Sequence, residues 1–152
     1  MYINLIHNQK VPYKSIIHGG LYVDKVIIIR GLIKSQPYRI GISLRHKHGI
    51  AFDYSPRFDE NAVVRNTYED GTWGTEEQSE PMPFEKGEPT LVAIFCGQHQ
   101  YKVFVNGEKA HTYKHRFTNL EEIDVLDIRG GIELTFCAGL KEFRLDLQEM
   151  HR

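Results

Sequence analysis

The stretch from Phe52 to Glu77, FDYSPRFDENAVVRNTYEDGTWGTEE, sets hydrogen-bonding side chains at regular intervals around the chain's single tryptophan, Trp73. Asp53, Ser55 and Arg57 alternate with Phe52, Tyr54 and Pro56, so on an extended strand the three polar groups share one face and the aromatics turn to a core. Asn66 follows on a second strand-like run. Trp73 and Glu76 come after the turn signal Glu69-Asp70-Gly71. Two hairpins would gather these residues around the indole. An aromatic plate bordered by carboxylates, an amide and a guanidinium suits a sugar, which offers an apolar ring face and a rim of hydroxyls.

Other chemistry is weaker in the sequence. The pairs Asp59-Glu60 and Glu76-Glu77 carry the residue type that glycoside hydrolysis needs; at turn signals they read as solvated carboxylates, and no catalytic residue and no enzyme are expected. His46 with His48, and His111 with His115, have spacings that put two imidazoles on one side of a strand. Neither pair has a third ligand at a diagnostic interval, so no metal and no cofactor are expected, and packing or surface roles are assigned instead. Cys96 and Cys137 are the two cysteines, each in an apolar run, and read as buried free thiols rather than a disulfide framework or a nucleophile.

The elements that must hold these residues are strands. β-Branched and aromatic runs recur between Gly, Pro, Asn and Asp at short spacing, predicting Tyr13–Ile17, Lys25–Ile33, Tyr38–Arg45, Ile50–Tyr54, Ala62–Thr67, Gly74–Gln78, Leu91–Cys96, Tyr101–Val105, Glu108–His115, Ile123–Arg129 and Ile132–Ala138. That pattern gives an all-β, two-sheet antiparallel β-sandwich. Asn106-Gly107 is the strongest hairpin signal, and only Thr118–Ile123 suggests a helical turn. The 152 residues, 41% hydrophobic, suit one domain with a core over about 11–140. Lys141–Arg152, with Phe143, Leu145 and Leu147 alternating, reads as a final edge strand or an amphipathic tail. A net charge of -1 provides no basic field for nucleic acid. The apolar runs are too short to insert in a membrane, and no signal-peptide pattern opens the chain, so a cytoplasmic product is expected.

These residues also carry a resemblance. Ser55-Pro56-Arg57-Phe58, Val63-Val64-Arg65-Asn66-Thr67, Trp73-Gly74-Thr75-Glu76-Glu77, Pro83-Phe84 with Gly87, Val105-Asn106-Gly107 and Tyr113-Lys114-His115-Arg116-Phe117, with Gly31 read as an early strand end, resemble a galectin carbohydrate-recognition domain from Val11 to about Leu140. The resemblance implies a jelly-roll sandwich that binds β-galactosides on glycans or glycoproteins, without metal and without chemistry on the sugar. It also implies cytosolic synthesis with an extracellular route that needs no signal peptide, and a homodimer through edge strands is one possible assembly. Trp73 resembles the stacking tryptophan, Asn66 and Glu76 the pair that holds the galactose 6-hydroxyl, and Arg57 the arginine between the axial 4-hydroxyl and the next sugar. An Arg57–Glu76 charge pair would fix those groups in advance.

Three positions depart from the family pattern. Asp53 stands where a histidine is usual, Ser55 where an asparagine is usual, and Gln78 where an arginine is usual. An ionised carboxylate only accepts and serine is short, so the resemblance implies weakened or altered reading of the 4-hydroxyl. These changes also make the groove more negative, which disfavours anionic glycans, and Asp53 is expected to draw Arg57 into an internal pair. The alternative is a galectin-like protein that has lost useful sugar binding and acts through protein contacts.

Overall fold

Inward Ile, Val, Phe and Tyr alternating with outward polar residues forces pairs of strands to bury one face each. The computed structural model describes residues 2–4, 10–79 and 82–140. Its strands are β1 (Tyr2–Asn4), β2 (Tyr13–Ile16), β3 (Val26–Ile33), β4 (Ile40–His46), β5 (Gly49–Arg57), β6 (Ala62–Glu69), β7 (Thr72–Trp73), β8 (Glu77–Ser79), β9 (Pro89–Cys96), β10 (Gln100–Val105), β11 (Glu108–Lys114), β12 (Val125–Gly130) and β13 (Ile132–Leu140). One sheet runs β1-β13-β3-β9-β10-β11. The other runs β2-β12-β4-β5-β6-β7, with β8 also paired to β6. Every pairing among the described strands is antiparallel, so the all-β two-sheet sandwich is the fold.

The core lies between the sheets and is anchored by aromatics from both. Phe52 of β5 stacks on Tyr101 at 4.6 Å and on Tyr113 at 4.9 Å between ring centroids. Phe52 and Tyr54 are fully buried, each burial contributing about 2–3 kcal/mol. Because β5 alternates, this fixes Asp53, Ser55 and Arg57 to the outer face of the seven-stranded sheet. The β10–β11 hairpin turns at Asn106 (φ +51°) and Gly107 (φ +88°), the two positive φ values that a two-residue turn of this twist requires.

Several boundaries differ from those expected. Of the predicted strand Gly74–Gln78 only Glu77 and Gln78 are strand, within β8, and residues 74–76 form an irregular segment between β7 and β8. Gly31 lies inside β3 rather than at its end. β4 starts at Ile40 because Tyr38 holds a φ of +54°, outside the β region. The helical turn is the 3₁₀ segment Leu120–Glu122. The pairing of β1 with β13 was not predicted, and Lys141–Arg152 falls outside the described residues. Among the described residues no helix is long and apolar enough to cross a membrane.

Candidate functional site

β5 and β6 pair with Asp53 opposite Asn66, Ser55 opposite Val64 and Arg57 opposite Ala62, and the turn after β6 folds Trp73 back against Tyr68. Trp73 meets Tyr68 edge-on at 5.0 Å and leaves 48% of its surface exposed. It borders a groove of about 410 Å³ lined by Asp53, Arg57, Val64, Asn66, Trp73, Gly74 and Glu76. The structure therefore brings five of the seven sequence-predicted residues into one groove. Ser55 is on the same strand face but buried, with 9% exposure, and is not among the lining residues. Gln78 is exposed on β8, outside the lining, and donates to Glu76 Oε1 at 3.4 Å.

Asn66 is held at both ends of its amide. Its Oδ1 accepts from the Thr67 N–H at 2.8 Å and from Arg116 Nη1 at 3.1 Å, while its Nδ2 donates to the Gly74 carbonyl at 2.8 Å. One amide N–H remains to serve a ligand. Gly74 is needed for this approach, since a Cβ there would stand 2.8 Å from Arg116 Nη1 and 3.2 Å from Asn66 Oδ1. Arg116 also donates to the Thr75 carbonyl at 2.8 Å and to Glu77 Oε2 at 2.9 Å, and lies 4.8 Å over the Tyr113 ring. This one guanidinium binds the irregular 74–76 segment to Asn66. In the sequence Arg116 stands only within a family motif, with no role assigned to it.

Arg57 makes the expected pair with Glu76, at 3.5 Å, and a second with Glu60 at 3.2 Å. Arg39 joins the same chain of charges through Asp59 at 2.9 Å and Glu60 at 2.7 Å, and its hydrogen bond holds the Asp59 carboxyl below the usual carboxylate range. The acidic pair Asp59-Glu60 is thus occupied by two arginines. Arg57 Nε is buried with no hydrogen-bond partner among the described residues, a donor left beside the groove.

The expected Asp53–Arg57 pair is not formed. Asp53 Oδ1 accepts from Ser43 Oγ at 2.6 Å and from Arg129 Nη2 at 2.9 Å, and Arg129 Nη1 donates to Ser43 Oγ at 2.8 Å. Arg129 reaches across β4 over Gly41, where a Cβ would stand 2.5 Å from the guanidinium carbon. Asp53 therefore has its own cation, and the expected gain of negative charge at this end of the groove is offset by Arg129. The period-two pattern of β12, with Leu126 and Ile128 buried, put Asp127 and Arg129 on the sheet's outer face and was the available signal for this residue.

Among the histidine candidates His48 is exposed, and the other three have packing roles. His46 stacks on Phe117 with centroids 3.8 Å apart, His111 Nδ1 shares a 2.7 Å hydrogen bond with the Tyr54 hydroxyl, and His115 Nε2 is 2.7 Å from the Gly97 carbonyl. Among the described residues no group of three His, Cys, Asp or Glu is placed to hold a metal. Cys96 and Cys137 are free and buried, and burial pushes both thiols up to about 12.

A model of the galactoside-binding lectin family matches residues 12–137. The chain is 39% identical over 140 residues to the 32 kDa beta-galactoside-binding lectin of Haemonchus contortus, covering 89% of this chain and 49% of that protein. It is 38% identical over 128 residues to Galectin-3 of Mus musculus, covering 82% of this chain and 48% of that protein. It thus spans about half the length of these relatives. Among solved structures, galectin LEC-6 of Caenorhabditis elegans shares the fold with a TM-score of 0.83 at 23% identity, over 90% of this chain and 96% of that one. Sheep Galectin-11 in complex with glycerol gives 0.79 at 27% identity, over 87% and 99%. With sequence, sandwich and groove in agreement, the chain belongs to the galectin family of galactoside-binding lectins.

Proposed function

We propose that this domain binds a β-galactoside-type glycan over Trp73, with altered reading of the sugar at the Asp53 end and weakened binding of lactose. Lectins of this family are not enzymes, and the work of the groove is recognition. The observation that carries the reading is an indole 48% exposed beside a groove whose polar groups are already held in place. The apolar face of a hexose stacks on Trp73. Its 6-hydroxyl takes the remaining Asn66 N–H and a Glu76 oxygen, and Arg57, fixed by Glu60 and Glu76, reaches the next sugar. Groups held before the ligand arrives lose little freedom on binding, which favours affinity.

The Asp53 end supports the second half of the proposal. Asp53 only accepts, and one of its oxygens already serves Ser43 and Arg129. Two hydrogen bonds to the sugar that go unmade, at about 1–3 kcal/mol each, weaken lactose on the order of a hundredfold. A glycan array with calorimetric and Trp73-fluorescence titrations tests both halves. Galactose-containing hits with weak lactose binding support the proposal. A flat array together with an unchanged Trp73 spectrum would overturn sugar binding and favour a protein-contact role, while tight, lactose-selective binding would overturn the altered site.

A further inference from the structure

We infer that the margin of the sandwich between β6, β8 and β11 binds a small monocarboxylic acid, held by Arg65 and separate from the groove at Trp73. Register partners on neighbouring strands share a face, so Arg65, opposite Tyr54, turns inward while Asn66 turns out to the groove. β11 lies across from it, tied to β5 by the His111–Tyr54 hydrogen bond and to β6 by the Tyr113–Thr67 hydrogen bond. Along β11 the register slips between the pairs Val103–His111 and Phe104–Lys109, which leaves Ala110 without a partner on β10. A bulge of this kind bends the edge strand. Here it borders a cavity of about 330 Å³, lined among the described residues by Arg65, Glu77, Lys109, Ala110, His111 and Thr112.

Charge selects the ligand. Arg65 is 5% exposed, flanked in register by Tyr54 and Glu77, and a guanidinium stays protonated even where burial, as here, lowers its pKa. Its Nη1 donates to the Val63 carbonyl at 3.0 Å, while among the described residues Nε has no acceptor and no carboxylate pairs with the group. Glu77, opposite on β8, gives its Oε2 to Arg116 at 2.9 Å instead. Carbonyl dipoles and water solvate such a cation without neutralising it, so the site favours an anion. The Nε edge of the guanidinium presents two parallel N–H groups, the fork that a carboxylate accepts with both oxygens. Among residues of fixed charge, the walls set Arg65 and Lys109 against Glu77. One negative charge brings that lining to neutrality, and a dianion overshoots toward Glu77. The volume exceeds that of a carboxylate alone, and Ala110 in the wall suits a short alkyl tail.

The test follows the arginine Nε–H resonances of the isotope-labelled full chain while sodium butyrate is added against sodium chloride at matched ionic strength. The Arg65 resonance should shift and saturate, with half-saturation at roughly 1–10 mM for one charge-assisted fork. Absence of saturation, or the same shift with chloride, overturns the inference. A response confined to Arg57 places the acid in the Trp73 groove and overturns it as well, and sulfate binding as tightly as butyrate overturns the choice of a monoanion. Butyrate should also raise the melting temperature of the native chain and leave that of Arg65→Met unchanged; equal rises in both proteins remove Arg65 from the site. If Arg65→Met does not fold, Lys109→Glu decides, since Lys109 is exposed. Half-saturation should then rise about tenfold through the reversed rim charge, and an unchanged value overturns the proposal.

Discussion

The Asp53 carboxylate, 8% exposed, receives both Ser43 and Arg129 on one oxygen, so a change at position 53 acts on a three-residue cluster. The double change Asp53→His and Ser55→Asn sets an imidazole against an Arg129 that has lost its carboxylate. We therefore expect that pair alone to raise lactose affinity little, and Arg129→Ala added to it to raise affinity at least tenfold more; calorimetry on the two variants checks this, and equal affinities would remove Arg129 from the account. Arg129→Ala in the native background leaves Asp53 buried beside Ser43 alone. Breaking a buried pair costs about 3–5 kcal/mol, but the Arg129 side chain is 40% exposed, and solvent screening reduces the expected loss to about 1–2 kcal/mol. Melting should fall by about 3–6 °C. Trp73 behaves oppositely, since it is half exposed and adds little to the core. Trp73→Ala should leave the melting temperature within about 2 °C and weaken glycan binding by about 2 kcal/mol, roughly thirtyfold. Large destabilisation with unchanged binding would return this tryptophan to a structural role.

At the level of elements, the site depends on where regular strand gives way to something else. The 74–76 segment leaves the ladder because its carbonyls are taken by side chains, Gly74 by Asn66 and Thr75 by Arg116. Period-two alternation made the face of β5 legible, and turn chemistry made the hairpins legible, because both are local. The partners were not legible: Arg116 lies 50 residues from Asn66, and Arg129 lies 76 from Asp53. Proximity in sequence instead suggested Arg57 as the partner of Asp53, and the fold supplied a different arginine. Sequence alternation likewise carried Gly74–Gln78 as one strand, since no local signal reports a side chain that claims a backbone carbonyl. The β10–β11 turn shows the same device at another place. Asn106 takes the positive φ, its N–H donates to the Leu91 carbonyl, and its Oδ1 accepts from the Leu91 N–H, both at 2.8 Å, so one residue extends the edge of β9. Asn106→Ala loses that acceptor and the preference for the turn, at about 1–2 kcal/mol, and should lower melting by about 3–6 °C. Asn106→Asp, which keeps the acceptor, should recover most of it; equal losses would show that the Oδ1 contact contributes nothing.

For the molecule as a whole, packing imidazoles into a sandwich ties stability to pH. Burial lowers the affinity of His46 and His115 for protons below the ordinary value of 6.5. Around His46, Glu69, Asp70 and Glu122 pull the other way and His48 adds to the depression; around His115, the Gly97 hydrogen bond opposes burial and His99 reinforces it. In the unfolded chain both rings protonate near 6.5, so below that pH the unfolded state binds more protons than the folded one. Stability then rises with pH across this window. It is fully present above about 6.5, and it is lost as pH falls toward the depressed folded values. Asp59 acts in a separate, lower window, because Arg39 holds its carboxyl below the ordinary value of 3.8. Urea titrations at pH 7.5 and 5.5 should show a lower midpoint at the acid end. His46→Phe keeps a flat ring against Phe117 and removes one titrating group, so its midpoint should shift less between the two pH values than that of the native protein. An identical shift in both proteins would mean that His46 is protonated equally in the folded and unfolded chains, and the acid sensitivity would then have to come from other groups.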